Sequence, residues 1–122
     1  MALAAWCTGP NGPAALANIP RLGEHDVDWI AATITHMHER NLATIEPTRQ
    51  AEDEWMALVY TLSQRTLLSK AKTWYVNANI KDKPQGLTLF TGGFQKYKEL
   101  CAAAVEQGYR GFVFDRPQAP GV

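Results

Sequence analysis

Apolar residues recur at positions 27, 30, 34 and 37 within the stretch EHDVDWIAATITHMHER. That spacing places Val27, Ile30, Ile34 and Met37 on one side of a helix and leaves the remainder to polar groups. It predicts an amphipathic helix over residues 24–40 with this stripe turned to the core. Glu24, Asp26 and Asp28 then fall in its first turns and His36, His38 and Arg40 near its end, as the helix dipole favours.

A second helix is expected after Pro47, with Thr48 as its N-cap and Ala51, Trp55, Leu58 and Leu62 as its apolar face, running to about Leu67. A third is expected over residues 94–107, with Phe94, Tyr97, Cys101 and Ala104 on the inner stripe and Gly108 closing it in the left-handed region. Short apolar runs at 87–90 and 111–114 read as flanking strands, so the class is a helix-rich α/β unit with three main helices and short strands. Before the first helix, CTGPNGPAALANIP is a turn-rich loop with at most a short helix at 14–18, and RPQAPGV is a tail that should fray. The expected organisation is a loop over 1–20, a helical hairpin over 21–72, a polar loop over 73–86, a strand–helix–strand unit over 87–116 and the tail over 117–122.

A chain of 122 residues fits one domain. Twelve basic side chains balance twelve acidic ones, which argues against the clustered charge that nucleic acid requires. No apolar run approaches the roughly 18 residues of a membrane span, and MALAAWC lacks the basic start of a signal peptide. The expectation is a cytoplasmic protein with no nucleic-acid or membrane partner.

Chemistry-bearing patterns are sparse. Cys7 and Cys101 lack a CxxC partner and read as buried free thiols. His36 and His38, two apart, point to nearly opposite sides of a helix, so no metal site is expected from them or His25. Neither GxGxxG nor GxxxxGK[ST] occurs, and neither Ser63 nor Ser69 lies in a GxSxG elbow or beside a histidine. Glu52, Asp53 and Glu54 admit an acid–base reading, although the solvated first turn of a helix accounts for them better. Gly92 and Gly93 admit an anion-binding helix start or, more simply, tight packing. The residues alone yield no catalytic group.

The order of the motifs says more. GPNGP, EHDVDWI, IEPTRQAEDEW, TWYVNANI with KP following, FTGGFQKYKELC and GYRGF together resemble the C-terminal section of flavin-dependent Baeyer–Villiger monooxygenases of the cyclohexanone and phenylacetone type. The resemblance covers residues 8–114. It implies a portion of a flavoprotein with two Rossmann-like dinucleotide-binding domains, FAD and NADP as cofactors, and conversion of ketones to esters or lactones. It also implies that the N-terminal FAD- and NADP-binding domains, or a complementing chain, are the missing partners, because the dinucleotide glycine motifs lie upstream in the family. Without them the chain is expected to hold neither cofactor and to be inactive alone.

The same resemblance assigns roles residue by residue. Ala14, Ala15, Leu16 and Ile19 would face the substrate pocket, and Asn18 would lie near the flavin-binding wall. The segment 73–86 would be the family's mobile control loop, with Trp74 folding over NADP and Asn79 beside it. An indole suits that role, since it carries one N–H donor on a broad apolar plate. The chain departs from the family where Asn77 replaces a glycine and Lys81 and Asp82 replace Pro-Gly, and Asn and Asp tolerate the left-handed backbone these turns need. Two alternatives stay open: a free-standing binding or assembly module, whose surface would lack large apolar patches, and a cofactor-free enzyme using Asp26, His25 and Glu46, all of which read as surface residues.

Overall fold

The structure, a computed structural model, describes residues 12–13, 16–72, 76, 81–82, 86 and 89–118. Helix α1 runs from Ile19–Glu39 and begins earlier than the periodicity implies. Asn18 is its N-cap, with the side-chain oxygen accepting from the Arg21 amide at 3.2 Å and proline in the first turn. Because the start moves upstream, no acidic residue sits in the first turn, and the dipole reading of Glu24, Asp26 and Asp28 is corrected. His36 and His38 do occupy the last turn.

Strand β1 (Thr44–Pro47) follows, then α2 (Arg49–Ser63), a single 3-10 turn at Leu67–Lys70, α3 (Phe94–Glu106) and strand β2 (Phe112–Asp115). Thr48 caps α2 as expected, accepting from the Ala51 amide at 3.1 Å. Helix α2 stops at Ser63, short of Leu67. The acidic cluster is structural: Asp53 pairs with Arg49 at 3.2 Å and Glu54 accepts from Gln50 at 2.9 Å, each four residues away.

β1 and β2 form an antiparallel two-stranded sheet in the register Thr44↔Asp115 to Pro47↔Phe112. The short TIEP run gives no period to read, so β1 has no local signature. The strand expected at 87–90 is not found at its described residues: Leu89 and Phe90 are buried in irregular backbone. Phe90 stacks on Trp55, ring centroids 5.4 Å apart and nearly parallel. Gly108 closes α3 at φ 69°, as its left-handed cap requires. Gly111 has φ 90°, and a Cβ there would meet the Ala51 side chain at 2.9 Å, so only glycine lets β2 pass this close to α2.

The core gathers Leu22, Trp55, Val59, Phe90, Tyr97 and Cys101, with Trp29, Leu58, Leu62, Phe94 and Leu100 packed around it. The face α1 turns inward is therefore not the expected stripe. Leu22, Asp26 and Thr33 are its buried residues, whereas Val27 and Ile34 are 54% and 61% exposed. The inner face is mixed in polarity because hydrogen bonds hold it. The Trp29 indole donates to the Cys101 carbonyl at 3.2 Å, Tyr97 donates to Asp26 Oδ1 at 3.3 Å, and Tyr109 donates to Thr33 at 3.2 Å.

Candidate functional site

Two stretches far apart in the chain meet at Gly12 and Phe90. The Phe90 amide donates to the Gly12 carbonyl at 2.9 Å, which ties Gly12 to the residues just ahead of α3. Val76, within TWYVNANIKDKP, is buried. Leu16, whose amide bonds back to Pro13 at 3.0 Å, and Ile19 are about half exposed at the entrance to α1. Asn18 between them spends its side-chain oxygen on the α1 cap, which leaves its amide nitrogen as the group free to meet anything beyond the helix. Ala14, Ala15, Trp74, Asn77 and Asn79 lie outside the described residues.

Asp82 takes φ 64°, in the left-handed region. This is the position where the family resemblance places a glycine, and aspartate is among the few side chains that accept such backbone. Lys81 and Asp82 form a turn in this chain.

Of the groups considered for cofactor-free chemistry, Asp26 is not a surface residue. It is 2% exposed and accepts from the Tyr97 hydroxyl. His25 is half-buried, edge-on to Phe94 and Tyr97 at 5.9 and 5.8 Å between centroids. Glu46 is exposed on β1, so the three do not converge. Around Asp26, burial pushes the Cys101 thiol up to about 11 despite the opposing hydrogen bond from Tyr97, and burial with the adjacent Cys101 and Asp26 raises Tyr97 well above the phenol range. Both stay neutral at ordinary pH, which makes the cluster a packing device with no activated nucleophile.

Gly92 resolves toward packing: an added Cβ would strike the Phe90 ring at 2.8 Å and Leu62 at 2.9 Å. Among the described residues no three His, Cys, Asp or Glu side chains are placed to hold a metal ion. Among the described residues no helix is long and apolar enough to cross a membrane. Sequence reasoning gives no hint of a groove of about 600 Å³ between α2 and α3, lined by Trp55, Glu54, Arg110 and Phe112 among others. Its walls come from separate stretches near 50, 100 and 110, and no local pattern joins them.

No protein-family model matches the chain. A Baeyer–Villiger monooxygenase of Pseudooceanicola batsensis is 36% identical over 108 residues, covering 88% of this chain and 19% of that protein. Cyclohexanone monooxygenase from Rhodococcus sp. Phi1 bound to NADP+ superposes with TM-score 0.82 at 32% identity, over 89% of this chain and 20% of the other. The chain is homologous to a section of the Baeyer–Villiger monooxygenases. It spans about a fifth of the curated relatives it matches. A further solved structure, the OTEMO complex with FAD and NADP, aligns at TM-score 0.78 and 26% identity. The helix-rich α/β arrangement described above is accordingly that of a section of a flavoprotein monooxygenase.

The start of α1 is filled by the Asn18 cap and Pro20, and no described strand leads into it. That end can offer apolar contact through Leu16 and Ile19 and a polar edge at Asn18, which fits a wall beside a flavin. It lacks the open amide row that cradles a pyrophosphate.

Proposed function

We propose that the chain is the C-terminal section of an FAD- and NADPH-dependent Baeyer–Villiger monooxygenase that oxidises ketones to esters or lactones, and that it works only with the remaining dinucleotide-binding domains, supplied in the same polypeptide or by a complementing chain. The observation that carries this reading is the superposition on the NADP+-bound cyclohexanone monooxygenase over 89% of the chain at TM-score 0.82. When bound, the flavin supplies the oxygen chemistry. The chain's own residues shape the space around it. Ala14, Ala15, Leu16 and Ile19 line the ketone pocket, Asn18 stands at its flavin-facing wall, and Trp74 with Asn79 closes over the nicotinamide side, shutting out water.

The hydrogen bond between Gly12 and Phe90 supports one part of this reading, because it anchors the start of the pocket-lining loop to the core just ahead of α3. The test is to incubate the purified chain with FAD, NADPH and cyclohexanone. The expected result is no stoichiometric flavin absorbance and no lactone. Bound flavin, or ester formation by the chain alone, overturns the reading that it needs its missing domains.

A further inference from the structure

Helix α1 has three faces, each with a distinct character. At about 100° per residue, Leu22, Asp26, Trp29 and Thr33 share the face against α3 and the core. Glu24, Asp28, Thr35 and Glu39 share a polar face. Between them runs an apolar stripe of Ile19, Val27, Ile30 and Ile34, centred about 90° from the buried face. Along it Ile19, Val27 and Ile34 are 55%, 54% and 61% exposed. A helix of 21 residues is about 30 Å long, so the stripe extends most of the way across a domain of this size. Chance exposure of single apolar residues is ordinary, but an ordered row beside a polar face that would have served solvent equally well marks a surface that is covered.

We infer that this stripe is the face by which the section seats on the flavin- and nucleotide-binding body of the enzyme. The inference rests on the proposed function and adds a location to it. About four fifths of each matched relative lies outside the aligned section, so a body of that size has to meet this section somewhere. The row begins at Ile19, beside exposed Leu16, where the pocket-facing loop enters α1. The docking face is therefore continuous with the edge proposed to touch the flavin. A second copy of the chain is the competing occupant.

The test grafts this chain in place of the matching section of a full-length cyclohexanone monooxygenase and compares it with the graft carrying Val27→Glu and Ile34→Glu. The same pair is made in the isolated chain. The isolated variant should keep its helical circular dichroism, because both side chains face solvent there and glutamate is a better helix former than valine or isoleucine. The grafted variant should lose most of its bound FAD and melt earlier, while a control graft with Thr35→Glu on the polar face behaves as the parent. A double variant that retains FAD and melting temperature overturns the inference while leaving the proposed function standing. So does an isolated chain that sediments as a stable dimer dissolved by the two substitutions, since a second copy would then own the face. A parent graft that holds no FAD overturns the proposed function and the inference with it.

Discussion

Tyr97 on α3 donates a hydrogen bond to Asp26 on α1 across 3.3 Å in the interior, joining residues 71 apart in the chain. A buried hydrogen bond of this kind costs little to keep, but losing it in the interior removes its net contribution with no water to replace it. Tyr97→Phe should therefore destabilise the fold by about 1–3 kcal/mol although it removes a single oxygen. Urea unfolding followed by tryptophan fluorescence measures this, and an unchanged midpoint would show that the pair contributes nothing.

The neighbouring thiol gives the protein an alkaline limit. Cys101 is raised from 9.0 to about 11, so above pH 9 the unfolded chain loses its thiol proton while the folded one keeps it. Stability is then fully present below pH 9 and falls as the pH rises toward 11, by about 3 kcal/mol over that interval. Tyr97, raised further still, extends the loss upward. Urea midpoints recorded from pH 7 to 11 should decline over this window, and Cys101→Ala should remove the decline between 9 and 10, below the range in which Tyr97 contributes.

Asp82 sits at φ 64° with its side chain exposed. Asp82→Gly should be neutral or slightly stabilising, whereas Asp82→Val should cost about 1–2 kcal/mol, since a β-branched side chain resists this backbone. Thermal melts of the two variants compare the effects directly. Equal melting temperatures would mean that the turn relaxes away from the left-handed region.

Trp74 carries the proposed contact to the nicotinamide cofactor. In the grafted enzyme Trp74→Phe keeps the apolar plate and removes the N–H donor. The NADPH concentration giving half-maximal rate should rise by about 2–10-fold, the loss expected of one neutral hydrogen bond. A value unchanged by the substitution would make this residue a packing group.

How far the sequence can be read depends on whether each signal is local. The Thr48 cap, the inner face of α3 through Tyr97, Cys101 and Ala104, and the Gly108 terminus are legible because each is decided within a turn of helix. The side of α1 that faces the core is not. Periodicity selects the most apolar stripe, Val27, Ile30, Ile34 and Met37, and cannot say which body that stripe meets. Here the section's own core takes Leu22, Asp26, Trp29 and Thr33, whose polarity is compensated by partners on α3 and at Tyr109 that no local pattern announces. The start of α1 lies upstream of that stripe because Asn18 caps the helix ahead of Pro20, a capping signal that the apolar period does not contain. The pairing of β1 with β2 escapes for the same reason of distance, since Thr44 meets Asp115 only in three dimensions.

The most direct measurement of the account is product formation by the graft. Full-length cyclohexanone monooxygenase, with its matching section replaced by this chain, is given cyclohexanone, oxygen and NADPH, and the lactone is quantified by gas chromatography. The account predicts flavin-loaded enzyme, ketone-dependent NADPH consumption and one lactone for each NADPH productively used. A graft that folds and holds FAD and NADP yet yields no lactone would contradict it.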